Sequence, residues 1–400
     1  MWRLNSDKNF HFELLRILAS VRGYGADVAE ILNVCEKLIP GDFESWWQNF
    51  YDLALWAKSS VQPEDQHDRI SLRDAYLRAS RYFFAAQFFL HGNPDDPRLT
   101  LAWEEWTKCF DKATSVMEIP AERRTLQADG FQVPIIVLRA SMDSQPRPVL
   151  IIGNGLDGSM EEMLHFHGFQ ALERGYHVIL YEGPGQCTVR RQQNIGFIPE
   201  WERVVTPVVD YAETLPFVDV KRIGLLGNSL GGFLAARAAA FEHRLAAVIL
   251  IDGIFSVYEA VASVIGPQPI QHEKDGTKEA FYQSLEEQMQ HSTHVRWMVN
   301  QINWTFNTST YEVLQRAKKM TLEGIAGNIQ CPTFVGDAQH DIFVEADQPQ
   351  MVAEALGEKA TWRKFTAEEG ADAHCHVGAT AFVNQVVLKW FGDQIRNINT

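Results

Sequence analysis

The hexapeptide Gly227-Asn228-Ser229-Leu230-Gly231-Gly232 sets one hydroxyl between glycines at the two positions where a tight reversal needs them. Ahead of it, Arg222 to Leu226 is an apolar run short enough for a buried strand; behind it, Phe233 to Phe241 is alanine-rich and helix-forming. Strand, turn and helix meeting at one serine read as a nucleophile elbow. Gly227 and Gly231 permit the reversal and close helix packing, which lifts the Ser229 hydroxyl clear of the sheet. The N–H of Leu230, at the start of the helix, then points to where an oxyanion would form.

A serine hydroxyl is a poor nucleophile until a histidine takes its proton, and that histidine needs an acid to hold its tautomer. Downstream, Asp341 lies in Gly336-Asp337-Ala-Gln-His340-Asp341-Ile-Phe, and His374 in Glu368-Glu369-Gly370-Ala-Asp372-Ala-His374-Cys-His376. Each follows an expected late strand, in the order serine, acid, histidine. Asp337 is the rival acid, but sits close to its strand end; His376 is the rival base on the same loop. His340, His165 and His167 read as solvated or structural. Cys187 and Cys375 lie on no elbow, so their thiols read as passive.

A second oxyanion donor is expected from Gly153-Asn154-Gly155-Leu156-Asp157-Gly158, whose glycines let backbone approach a substrate oxygen. The N–H of Leu156 is assigned, with Gly155 as the neighbour that could displace it and Asp157 as a substrate contact. The loop lacks G-x-G-x-x-G, which argues against a dinucleotide. Tyr181-Glu182-Gly183-Pro184-Gly185-Gln186 follows a strand; it reads as a tight turn that also brings Glu182 near the substrate.

The elements that must position these groups change character near residue 123. Residues 1–122 read as an all-helical N-terminal lid domain. One helix is expected from Leu72 to His91, with Ser71 as N-cap, Asp74 in the capping box and Gly92 closing it. Asp96-Pro97 opens another, to about Met117. Six of the eleven tryptophans fall in this region and read as helix-packing core. Residues 123–400 read as a mostly parallel, doubly wound α/β sheet. A hairpin (123–128 and 131–138) precedes strands at 148–152, 177–181, 223–226, 247–251, 332–335 and 361–365, with helices at 159–174, 200–214, 230–241 and 377–395. From about 256 to 325 the strands stop. Helices at 280–291 and 311–320, with Asn303-Trp304-Thr305-Phe306 between them, make a helical cap over an α/β-hydrolase sheet.

Four hundred residues, 46% hydrophobic, can bury a substantial core. The formal charge of -15 argues against nucleic acid or an anionic membrane as partner. Five scattered cysteines with no C-x-x-C pair suggest neither a disulfide framework nor a zinc site, and point to a reducing compartment. The N-terminus lacks an apolar signal core and no apolar run could cross a bilayer, so a soluble, cytoplasmic enzyme is expected. No cofactor or metal is expected; the partner is a small molecule, and a homodimer is left open.

Gly-Asn-Ser-Leu-Gly-Gly, Tyr-Glu-Gly-Pro-Gly-Gln, Glu-Glu-Gly-x-x-x-His-Cys and the helical N-terminal region together resemble the FrsA-like α/β-hydrolases. Within them the chain is most similar, from about residue 70, to fungal hydrolases of polyketide biosynthesis, including one that shortens a naphthopyrone; 2,6-dihydroxypseudooxynicotine hydrolase is a more distant relative. His376 stands where the His-Cys-Gln form of the motif has glutamine. The resemblance implies cleavage of a carbon–carbon bond beside a ketone, or of an ester, with Ser229, Asp341 and His374 as triad. Transfer of the acyl group to an internal hydroxyl, giving a lactone, is the alternative.

Overall fold

A computed structural model describes residues 2–344, 347–396 and 398, so the outermost residues of the expected 1–122 and 123–400 divisions lie outside it. The chain opens with α1 (Lys8–Ala19), α2 (Val28–Cys35), α3 (Phe43–Ser59), α4 (Arg69–Ala86) and α5 (Pro97–Ser115). Their mutual faces bury Phe10, Trp46, Phe50, Phe83, Trp106 and Phe110 almost completely. Each ring contributes about 1.5–3 kcal/mol by leaving water.

The N-cap of α4 is Asp68, not Ser71. The Asp68 carboxylate accepts from the amides of Ile70 and Ser71 at 2.8 and 3.0 Å, so the helix starts three residues early and Ser71 lies in its first turn. It also ends at Ala86 rather than His91. Gly92 serves another purpose: a Cβ there would come within 2.6 Å of the Asn300 side chain.

The sheet comprises β1 (Glu122–Gln127), β2 (Gln132–Leu138), β3 (Arg147–Gly153), β4 (His177–Tyr181), β5 (Val218–Asn228), β6 (Ala247–Ile251), β7 (Thr333–Ala338) and β8 (Ala360–Phe365), in the order β1-β2-β4-β3-β5-β6-β7-β8. β1 and β2 form the expected antiparallel hairpin, β2 meets β4 antiparallel, and the rest is parallel. Every residue of β4 and β6 is buried, as strands covered by helices on both faces require. β5 begins at Val218, earlier than the expected Ile223, because its mostly polar first half carries no apolar signal.

Between β3 and β4 lie α6 (Met160–Met163), a widened π turn (Leu164–Gly168) and α7 (Phe169–Leu172). Then come α8 (Cys187–Gln193), α9 (Glu202–Glu213) and α10 (Leu230–Ala239). The stretch after β6 holds α11 (Val257–Ile265), α12 (Pro267–Lys274), α13 (Lys278–His291), α14 (Thr293–Phe306) and α15 (Thr310–Ala317). Asn303 to Phe306 is thus the last turn of α14, a helix that fills the stretch between the two expected ones. Ser292 caps the new helix by accepting from the Val295 amide, and left-handed Asn307 stops it. α16 (Gln348–Leu356) and α17 (Thr380–Arg396) complete the chain. No helix of the described residues is long and apolar enough to cross a membrane.

Candidate active site

β5 ends at Asn228 and α10 begins at Leu230, leaving Ser229 alone in the reversal with φ 61° and ψ -128°. Such a backbone costs a non-glycine residue about 1–3 kcal/mol. Two hydrogen bonds hold it: Ser229 N donates to Ile251 O at 2.9 Å, and Gly232 N donates to Ser229 O at 2.7 Å. Glycine is demanded on either side, since a Cβ on Gly227 would sit 1.8 Å from Gly231 O, and one on Gly231 would sit 2.7 Å from Asn154 O.

His374 Nε2 lies 2.8 Å from Ser229 Oγ, and His374 Nδ1 lies 2.7 Å from Asp341 Oδ2. Asp341 follows β7, and its other oxygen accepts from the amides of Phe343 and Val344 at 2.7 and 2.9 Å, which fixes the carboxylate plane. An ionised carboxylate only accepts, so Nδ1 carries the imidazole proton and Nε2 is left to take the one on Ser229.

The sequence reading missed Asp252. It follows β6, is fully buried, and places Oδ2 3.0 Å from the same Nδ1 while accepting the Cys375 amide. His374 therefore faces two carboxylates. Burial alone would lower its pKa; Asp341 and Asp252 outweigh that and hold it above its ordinary value of 6.5. A carboxylate directly after a wholly apolar strand, next in the sheet to the elbow strand, was the available signal. Asp252, Cys375 and His376 all have left-handed φ values of 62°, 52° and 55°, so strain clusters around the imidazole.

The rivals are placed elsewhere. Asp337 lies within β7 with its nearest cation, Lys364, at 3.5 Å. His376 is buried with Nδ1 3.0 Å from Ala371 O and Nε2 3.8 Å from Asp252 Oδ1. His340 is exposed against Asp372. His165 meets Gly23 O at 2.7 Å, and His167 bridges Asn384 and Asn228 at 2.9 and 3.2 Å. Burial raises both thiols, that of Cys375 to about 12 and that of Cys187 further still.

The loop after β3 presses on the elbow: a Cβ on Gly155 would lie 2.7 Å from Asn228 O and 2.9 Å from Leu230 N. Leu230 opens α10, so its N–H precedes the first intrahelical acceptor and is available to an oxyanion. Glu182 does not line the pocket into which Ser229 opens. It is fully buried, and its carboxylate accepts from the amides of Met160 and Thr188 at 3.0 and 2.7 Å. Burial, followed by the Glu161 charge, pushes it up to about 7. Its neighbour Gln186 donates from Nε2 to Asn154 O at 2.7 Å and Gly155 O at 3.2 Å. The Glu-Gly-Pro-Gly-Gln turn thus braces the glycine loop.

Ser229 and His374 open into a pocket with about 840 Å³ of empty space, its mouth included. Leu156 and Asp157 line it together with Val257 and Val261 of α11 and Trp297 and Ile302 of α14. Phe12 and Arg16 reach in from α1, and the Phe12 ring lies 6.1 Å from that of His374. None of the six early tryptophans lines the pocket; Trp46 and Trp106 are buried, and Trp2 and Trp56 are exposed. Among the described residues, the grouping with ligand-like spacing is Asp252, His374 and Cys375, in which both imidazole nitrogens are already engaged within the protein.

Residues 149–377 match the family described as "Alpha/beta hydrolase family". The chain is 31% identical to Hydrolase acrC of Aspergillus aculeatus, over 98% of each protein, and 29% identical to the 20-hydroxy-prefusarin hydrolase FUS2 of Gibberella moniliformis, over 95% of each. The likeness read from residue 70 onward therefore extends into the first helices. The crystal structure of the 2,6-dihydroxy-pseudo-oxynicotine hydrolase superposes with a TM-score of 0.74 at 21% identity, covering 94% of this chain and 95% of that one.

Proposed function

Because this chain belongs to the alpha/beta hydrolase family, we propose that it is a serine hydrolase cleaving a polyketide-derived secondary metabolite at a carbon–carbon bond beside a ketone, or at an ester. The observation that carries this reading is the unbroken chain of contacts from Ser229 Oγ through His374 to Asp341, at 2.8 and 2.7 Å. The likeness to FUS2, named as a hydrolase of 20-hydroxy-prefusarin, supports a small-molecule substrate class.

His374 takes the Ser229 proton as Oγ attacks the carbonyl carbon. The amides of Leu156 and Leu230 receive the oxyanion, each donor being worth about a hundred- to a thousandfold in rate. Collapse breaks the bond to the leaving carbon or oxygen, and protonated His374 supplies that atom with a proton. Water, deprotonated by His374, then attacks the acyl-enzyme and frees the acid.

The test is incubation of candidate polyketides with wild type and Ser229→Ala, read by mass spectrometry. Wild type should yield fragments that together carry one added water, and the variant should leave substrate intact. A lactone released without added water would replace hydrolysis by internal acyl transfer, and an equally active variant would end the serine mechanism.

A further inference from the structure

Arg16 is a buried cation on the wall of an otherwise mostly apolar pocket, contributed by the helix farthest in sequence from the chemistry. Its Nε donates to Glu162 Oε1 at 2.9 Å, and its Nη2 reaches Glu162 Oε2 at 2.6 Å and Asp157 Oδ1 at 3.0 Å. Only Nη1 lacks a close partner, its nearest acceptors being the two oxygens of Glu13 at 3.5 Å. Burial pushes the Glu13 carboxyl up to about 8, which leaves it protonated near neutrality and a weak acceptor for that fork. Arg81, 3.0 Å from Glu162, completes the cluster.

The Asp157 anchor fixes where this cation stands. Asp157 directly follows Leu156, the assigned oxyanion donor, and consecutive Cα atoms are about 3.8 Å apart. The guanidinium tied to Asp157 lines the same pocket as Leu156, Ser229 and Leu230. A 1,3-dicarbonyl presents its two oxygens a few ångströms apart.

We propose that the Arg16 guanidinium binds the second carbonyl oxygen of a 1,3-dicarbonyl substrate, the oxygen onto which the leaving carbanion delocalises. This rests on the serine-hydrolase reading above and names its substrate class. Ser229 Oγ bonds to the first carbonyl carbon, and the carbon–carbon bond breaks with its electron pair passing to the α-carbon and on to the second oxygen. Arg16 holds the resulting enolate until His374 protonates the α-carbon. Water then displaces Oγ, so the dicarbonyl and one water become a carboxylic acid and a ketone.

The experiment compares nonane-2,4-dione with p-nitrophenyl hexanoate, which gives the same hexanoyl-enzyme but a leaving group with no need of Arg16. Arg16→Met should lower the ratio of kcat/KM for the dione to that for the ester by about a hundredfold. Arg16→Lys, which keeps the charge but not the fork, should lower it about tenfold. Loss of Arg16 leaves Glu162 and Asp157 short of a partner, so a second arm spares the cluster. In Ser229→Ala, quenching of Trp297 should show nonane-2,4-dione binding at least about tenfold tighter than nonan-4-one. An unchanged ratio in both variants, or equal binding of dione and monoketone, overturns the proposal. Failure of a fluorophosphonate to label folded wild type at Ser229 would instead overturn the reading beneath it.

Discussion

Replacing Asp341 by asparagine should hurt less than loss of a triad acid usually does. Removing the only carboxylate from such a histidine costs about 10⁴ in kcat, because the imidazole settles in the wrong tautomer. Here Asp252 Oδ2 remains 3.0 Å from Nδ1, against 2.7 Å for Asp341. At an effective dielectric of about 20, attraction at these two separations differs by about 0.6 kcal/mol, roughly a factor of three. Asp252 also divides its oxygen between Nδ1 and the Cys375 amide, which weakens it as a substitute. Asp341→Asn should therefore keep about one part in ten to one in a hundred of wild-type kcat, and Asp341→Asn/Asp252→Asn should fall by the full 10⁴. The assay is the acylation burst with p-nitrophenyl hexanoate, beside the fluorophosphonate labelling rate at Ser229. The same pair governs the acid limb of kcat/KM. Since His374 must be neutral to act as base and the carboxylates hold its proton more tightly, that limb should lie above pH 6.5 in wild type and move down in Asp252→Asn. A folded Asp341→Asn as slow as the double variant would refute the reasoning.

Gln186→Leu removes both bonds to the glycine loop and should lower kcat about ten- to a hundredfold with little change in melting temperature, measured on the ester. Gly227→Ala drives a methyl to 1.8 Å from a backbone oxygen and should cost several kcal/mol, read as a large fall in the urea midpoint. Glu13 supplies a pH signature. Its folded pKa of about 8 lies above the ordinary 4.5, so the folded state keeps a proton that the unfolded chain has released. Its contribution to stability is then largest below pH 4.5 and declines up to about pH 8, by at most about 1.4 kcal/mol per pH unit. Glu13→Gln should flatten that decline in urea titrations across this window, and parallel curves would place the proton elsewhere.

The parallel sheet, the elbow and the partners of Ser229 were legible because each is written locally. The apolar runs before Gly153, Gly227, Asp252 and Gly336 are each of strand length, and the elbow cannot form without small residues at fixed offsets. Asp341 and His374 were found by their order after strands. What escaped was whatever depends on convergence. Asp252 had no motif around it; only the adjacency of β6 to β5 brings its carboxylate to Nδ1. Glu182 was placed beside the substrate because it follows a strand at the right end of the sheet, yet its oxygens turn inward to backbone amides. The helix errors were competitions between good signals. Asp68 outbid Ser71 as a cap three residues earlier, and Ser292 started a further helix in a stretch to which the sequence assigns no element.

The reach of α1 into the pocket gives the two ends of the polypeptide a shared stake in one event. Phe12 emerges from a ribosome long before His374, and Thr380 must arrive to donate to Ala19 O at 3.1 Å. A nascent chain can therefore complete most of its sheet and still lack a closed reaction chamber. Substitutions in the leading helix can reshape the chamber while Ser229, His374 and Asp341 stay untouched.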